Sequence, residues 1–266
     1  MSELDPRGFW DSLRPSTQAR IGLGRSGDAL PTRRVLEFRA AHAAARDAVH
    51  TPLDVHVLAA EVAEVGIGTP LLVTSRATSR AEYLRRPDLG RLPADLSGID
   101  RGGADLGFVL GDGLSPRALG EHGVPLLAAL VAELSPDHSI AAPVIATGAR
   151  VALGDHIAEA MGVRTVVVLI GERPGLSVAD SLGIYLTHLP APGKSDADRN
   201  CISNVHPPEG LGYRQSARVA GGLVRGAIRL GRSGVSLKDT SGPDGLDTGS
   251  LDPGATGFVT EDIAAL

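Results

Sequence analysis

Gly22, Gly24 and Gly27 spell GLGRSG, the spacing at which a tight turn can bring backbone N–H groups against a dinucleotide pyrophosphate. That chemistry needs a strand running into the turn and a helix leaving it, and the preceding PSTQARI has no strand pattern. A glycine-rich surface loop is the expectation there. Three other loops are better set: LGDGLS at 110–115, ATGARVALGD at 146–155 and LIGERPGL at 169–176, each after a short apolar run. In an open α/β sheet, loops at strand carboxyl ends border the ligand crevice, because the helices that follow expose unpaired backbone donors. On this reading Val151 and Glu172 share one edge of the sheet.

Glu172, Arg173 and Pro174 directly follow TVVVLI, where a carboxylate leaving a buried strand needs either an ion-pair partner or a ligand. Asp155 and Asp180 read as helix caps. Cys201 falls in DRNCISNVHPP at 198–208, which reads as a loop held by Asn200, Ser203 and Asn204. As the sole cysteine it excludes an internal disulfide and leaves no cysteine cluster for zinc or iron–sulfur. A nucleophilic thiol would need a base, and none is identifiable. The eight histidines are scattered without an HExxH or a close acidic cluster, so no metal site is expected, and His42 and His138 read as structural or solvent-facing.

The elements that must carry these loops differ along the chain. After Pro31, TRRVLEFRAAHAAARDAV places Val35, Phe38, His42, Ala45 and Val49 at helical steps, and a second helix is expected from Pro52 to Val65. An arginine-rich connection then runs from Arg76 to Arg101. From Asp105 the runs DLGFVL, APVIAT, TVVVLI and GIYLTHL alternate with helical stretches at 124–134, 154–161 and 211–230, an α/β pattern. TVVVLI lacks polar alternation, as a strand covered on both faces requires. The expected organisation is a mainly helical region at 1–100, an α/β domain at 101–239, and a flexible Gly/Asp/Ser/Thr-rich tail at 240–266.

With 266 residues and 42% hydrophobic composition the chain can bury a sizeable core. A net charge of -5 and 3% aromatic residues argue against nucleic acid, which demands basic surfaces and stacking rings. No apolar run approaches the roughly 18 residues of a membrane span, and no secretory signal opens the chain, so a cytoplasmic location is expected. Lys194 and Lys238 are the only lysines; the arginine excess hints at interfaces.

Several uncommon strings then coincide: ARIGLGR at 19–25, AHAAARDAV at 41–49, YLRRPDLGR at 83–91, DGLSPRA at 112–118, GARVALGD at 148–155, LIGERPGL at 169–176, DSLGIYLTHLP at 180–190, DRNCISN at 198–204 and SGVSLKD at 233–239. Together they resemble the small (light) chain of ethanolamine ammonia-lyase, in order from about Leu13 to Asp239. The resemblance implies a small helical amino-terminal domain, a Rossmann-like carboxyl-terminal domain, and a large (heavy) subunit as partner. It implies adenosylcobalamin as cofactor, bound where the two chains meet, and radical deamination of ethanolamine to acetaldehyde and ammonia. The positions matching the family's cofactor contacts are Val151, Glu172 and Cys201, and no catalytic residue is assigned to this chain. Many cobalamin proteins use a DxHxxG histidine to displace the nucleotide base; here Asp54-Val55-His56 continues Val57-Leu58-Ala59, so the base is expected to stay on cobalt. Some relatives carry a longer amino-terminal extension used in microcompartment targeting, and its absence before LRPSTQARIGLGR leaves encapsulation in a bacterial microcompartment open. Two other readings are an NAD(P)-binding oxidoreductase using GLGRSG and a non-catalytic scaffold of the same fold.

Overall fold

The computed structural model of the chain describes residues 6–239. Among them six strands form one sheet: β1 (Leu71–Thr74), β2 (Leu106–Gly111), β3 (Val144–Thr147), β4 (Thr165–Gly171), β5 (Leu182–His188) and β6 (Asn200–Val205), ordered β1-β3-β2-β4-β5-β6. The β1/β3, β3/β2 and β2/β4 pairs are parallel, whereas β4/β5 and β5/β6 are antiparallel. The carboxyl ends of β2, β3, β4 and β6 therefore meet the start of β5 along one edge.

Seven α-helices accompany the sheet among the described residues: α1 (Pro6–Leu13), α2 (Thr32–His50), α3 (Val55–Ala63), α4 (Arg80–Arg85), α5 (Pro116–Leu134), α6 (Leu153–Met161) and α7 (Tyr213–Leu230). Side chains of β2 and β4 alternate between two cores, and both strands are buried throughout. Phe108, Leu110, Val167 and Leu169 join α3, α5 and α7 on one face, while Val109, Val168 and Ile170 meet Leu153, Ile157 and Met161 of α6 on the other. Burying each such side chain is worth about 1.5–3 kcal/mol, which explains why TVVVLI needs no polar position. None of the helices is long and apolar enough to cross a membrane among the described residues.

Glycine is required where the ends of β2 and β4 cross. Gly113 has φ +56°, and a Cβ there would lie 2.2 Å from the Gly171 carbonyl oxygen; one on Gly171 would lie 2.1 Å from the Ser115 carbonyl. The Leu114 N–H donates to the Gly171 carbonyl at 2.9 Å and closes this crossing. The two loops are thereby held side by side.

Several expectations need correction. The 198–208 stretch, with its Asn200, Ser203 and Asn204, contains β6, so Cys201 stands on an edge strand rather than in a loop. The first hundred residues also supply β1 to the sheet, and α4 lies inside the expected arginine-rich connection. Helix α5 begins at Pro116, not near Val124: the Ser115 side chain caps the Ala118 N–H, Pro116 takes the first turn, and Pro125 sits inside the helix without ending it. The expected apolar stripe of α2 is only partly covered: Val35, Ala45 and Val49 are half-buried, Phe38 is 46% exposed, and Ala48 is the helix's one fully buried residue. Neither Asp155 nor Asp180 is a cap: Asp155 pairs with Arg199, and Asp180 with Arg117 at 3.2 Å. Residues 240–266, expected as a flexible tail, lie outside the described residues.

Candidate functional site

Helix α6 packs over β2 and β4, and the same face of the sheet continues past it onto β5 and β6. There the outward positions are Gly183 and Tyr185 on β5 and Cys201 and Ser203 on β6, with Cys201 and Ser203 exposed. Their neighbours Ile184, Leu186, Ile202 and Val205 point the other way, into the core under α7. The result is an open floor of sheet beside α6, walled by the loops at the carboxyl ends of β3 and β4.

Glu172, one residue beyond β4, stands at the rim of this floor. Its Oε1 accepts the Ser203 hydroxyl at 2.5 Å, and its Oε2 accepts the Ser181 hydroxyl at 2.7 Å and the Asn204 N–H at 3.1 Å. These bonds tie the end of β4 to the start of β5 and the end of β6. The partner needed by this carboxylate is thus a set of hydroxyl and amide donors; no ion pair with Arg173 forms among the described residues. A carboxylate offers about four acceptor positions, so Glu172 retains capacity on Oε1.

Val151 opens the loop before α6 and lines, with Glu172, Arg173, Tyr83, Arg150 and Tyr185, a cleft of about 270 Å³. Val151 and Glu172 therefore do share one edge of the sheet. Behind them lies a buried polar frame. Both oxygens of Asp112 accept backbone N–H groups, from Gly148 and Ala149 at 2.9 Å each, fastening the end of β2 to the loop after β3. Burial pushes the Asp112 carboxyl above its usual range, against those bonds and the Arg80 guanidinium 3.5 Å away. Arg80 in turn donates to the carbonyls of Val49, Gly113 and Leu114. Tyr83 donates to the Ala149 carbonyl at 2.9 Å, and burial pushes its hydroxyl up to about 12. The guanidiniums of Arg80 and Arg150 lie 4.8 and 4.4 Å from the centre of its ring.

Cys201 does not itself line this cleft; it is joined to it through Tyr185. The two residues are register partners on adjacent strands. Burial raises the thiol above its ordinary range, and nearby Glu172 adds to that shift, so Cys201 is a neutral thiol rather than a prepared nucleophile. Burial likewise raises the Tyr185 hydroxyl. Tyr185 and Arg150 carried no expectation from the sequence, and Ser203 was expected only to hold a loop. The signal was present for two of them: in GIYLTH and NCISN, period-2 alternation sends Tyr185 and Ser203 away from the face of Ile184, Leu186 and Ile202.

GLGRSG is no part of this site as a nucleotide loop. Ser26 and Ala29 close a small antiparallel turn, and Arg14 donates to the carbonyls of Ile21 and Gly22, with no strand of the sheet leading in. The segment before it reaches the LIGERPGL loop instead: Arg20 donates to the Leu176 carbonyl at 2.8 Å, and Ser177 donates to the Gln18 carbonyl at 3.0 Å.

Comparison with known proteins agrees with the strings that mark these loops. Residues 7–238 match the family model of the ethanolamine ammonia-lyase light chain. The ethanolamine ammonia-lyase small subunit of Rhodococcus erythropolis is 69% identical over 243 residues, covering 91% of this chain and 95% of that protein. Those of Ralstonia nicotianae and Rhodopseudomonas palustris are 47% and 48% identical, covering 90% and 86% of this chain and 92% and 89% of theirs. With a family model spanning nearly all the described residues and relatives this similar along their lengths, the chain belongs to the ethanolamine ammonia-lyase light-chain family.

Proposed function

We propose that this chain is the small subunit of an adenosylcobalamin-dependent ethanolamine ammonia-lyase and forms one wall of the cofactor site, which a large subunit completes. The observation that carries the reading is the open floor over β5 and β6, on which Val151, Glu172 and the Tyr185–Cys201 pair converge. A broad, amide-fringed macrocycle needs a wide shallow support with acceptors at its rim, and this floor supplies both. Gly183 keeps it low: a Cβ there would come within 3.1 Å of both Glu172 Oε1 and the Tyr185 ring. The spare acceptor capacity of Glu172 suits an amide N–H.

When bound, adenosylcobalamin supplies the radical chemistry that turns ethanolamine into acetaldehyde and ammonia. This chain's part is to bind and orient. Val151 contributes apolar contact, Glu172 accepts hydrogen bonds, and Cys201 fills space behind Tyr185. Among the described residues no histidine lines the cleft, and His56 lies on α3, which packs on the opposite face of the sheet. The helices α5 and α6, on opposite faces of the parallel strands, support a Rossmann-like assignment for 101–239, with 1–100 as a mainly helical region.

The test is reconstitution. The purified chain alone should show no turnover of ethanolamine, and adding the large subunit with adenosylcobalamin should produce acetaldehyde. Full activity of the large subunit by itself, or tight NAD(P) binding by the isolated small chain, would overturn the reading.

A further inference from the structure

Helices α5 and α7 pack together on the face of the sheet opposite α6, and a groove of about 520 Å³ opens between their outer surfaces. Its floor is apolar, made by Ala129 and Ala132 of α5 and Ala217 of α7, and Glu133, Arg214 and Arg218 stand around it. The groove exists because these facing side chains are short, leaving a space that larger apolar residues would fill. The charges around it are unequal. Glu133 is paired with Arg225 at 3.1 Å, whereas Arg214 and Arg218 have no carboxylate within 4.0 Å among the described residues. Arg214, Arg218, Arg225 and Arg229 follow at steps of four, seven and four, so they form one basic stripe along α7. An apolar groove beside such a stripe fits a partner that offers carboxylates next to an apolar edge.

Residues 240–266 of this chain have that composition. They contain Asp244, Asp247, Asp252, Glu261 and Asp262, and no lysine, arginine or histidine. Within them GFVTEDIAAL, at 257–266, sets Val259, Ile263 and Leu266 at the i, i+4, i+7 spacing of one helical stripe, with Asp262 on its flank. The route is short. Leu237 is buried against α7, where a Cβ on Gly226 would lie 2.8 Å from its Cδ1, so the chain passes beyond the described residues beside the same helix. Gly226 and Ala217 are nine residues apart on α7, roughly 14 Å. The 17 residues at 240–256 can extend over about 56 Å, far more than that gap. Attachment also holds the segment at a local concentration of about millimolar, so contacts too weak to recruit a free peptide suffice.

We propose that residues 257–266 of this chain dock in the α5/α7 groove, with Val259, Ile263 and Leu266 against the three alanines and Asp262 against the Arg214 and Arg218 pair. The contact covers an apolar seam on the side of the sheet away from the floor of β5 and β6. It is independent of the cofactor reading.

The test is amide hydrogen exchange, read by mass spectrometry, on the full chain alone and in complex with the large subunit. Amides of 257–266 should exchange at least about tenfold more slowly in both than in a synthetic peptide of residues 240–266. Arg214→Glu with Arg218→Glu, at two exposed positions, should return the segment to the peptide rate, and adding Asp262→Arg should restore part of the protection. An exchange rate equal to that of the peptide, or protection indifferent to the arginine reversal, would overturn the proposal. Protection seen only in the complex would overturn it by giving the segment to the large subunit. A cross-link identifies the occupant. With Cys201→Ser removing the native thiol, Ala132→Cys and Ile263→Cys should form a disulfide within one chain, at monomer mass. A disulfide only between chains, at dimer mass, would give the groove to a second copy and overturn the proposal, as would the absence of any disulfide.

Discussion

Arg199 and Asp155 form the most deeply buried ion pair among the described residues, with side chains 2% and 1% exposed. The pair is bidentate, at 2.7 Å for each N–O contact, and Arg199 also donates to the Thr187 hydroxyl and the Lys194 carbonyl. It fastens the first turn of α6 to the strand that carries Cys201, and so sets the width of the groove between them. Asp155→Asn removes the countercharge and leaves a guanidinium in the interior, a change that typically costs about 3–5 kcal/mol. For a chain of this size each kcal/mol lowers the melting temperature by about 2–4 °C, so a fall of roughly 6–20 °C is expected. The assay is thermal and urea unfolding of the wild type and of Asp155→Asn. A third variant, Asp155→Leu with Arg199→Met, replaces both charges by apolar groups and should lose much less than Asp155→Asn, because neither charge is then stranded. A melting temperature for Asp155→Asn within 2 °C of wild type would refute the claim that this pair holds α6 to β6. A double variant as damaged as the single one would show that shape, not charge, decides the site.

If the floor holds the cofactor as proposed, Glu172→Ala should weaken cobalamin binding by the two-subunit complex by about ten- to a hundredfold, since it removes a charged acceptor and also frees Ser181, Ser203 and Asn204. Cys201→Ser should stay near wild type in the same titration, because a neutral thiol is replaced by a hydroxyl of similar size; a severe defect would give the sulfur itself a role. Burial holds the imidazoles of both His122 and His188 below the ordinary value of 6.5. The unfolded chain then takes up protons first as pH falls, so their contribution to stability is complete above pH 6.5 and is lost below it. Melting temperatures measured from pH 7.5 to 5.5 should fall, and His188→Asn should flatten that slope; a slope unchanged in the variant would assign the acid sensitivity elsewhere.

What could be read in advance followed burial. TVVVLI, DLGFVL and APVIAT are apolar on every side because helices cover them on both, and the loops behind them fell where the sheet ends. β6 escaped because it is an edge strand with one covered face: only Ile202 and Val205 of NCISNV are buried, and its Asn and Ser residues look like loop chemistry. β1 escaped for a similar reason, having four residues of which only Val73 is buried. Asp155 could not be assigned from sequence, since its partner lies 44 residues away and a cap and a buried ion pair put the same residue in the same first turn. Val151 and Glu172 were legible as neighbours because both follow strands whose ends meet. The bonding of Glu172 was not, because Ser203 and Asn204 reach it only once β6 is recognised as a strand.

The switch from parallel to antiparallel pairing at β4 explains why this sheet has a floor to offer. A parallel strand must be reached by a crossover, and its helix roofs the sheet, as α6 does over β2 and β4. β5 returns through the short 172–181 loop and β6 through the 189–199 loop, which holds only one 3-10 turn at Asp196–Asp198, so no α-helix crosses the outer face there. One side of β5 and β6 is sealed by α7 and the other only partly covered, with Tyr185 half-buried and Cys201 and Ser203 exposed. A protein working alone would gain by burying such a face. On the function proposed above, a partner subunit and cofactor closing over this face would account for a strand face kept partly open and polar, with Glu172 anchored at its rim.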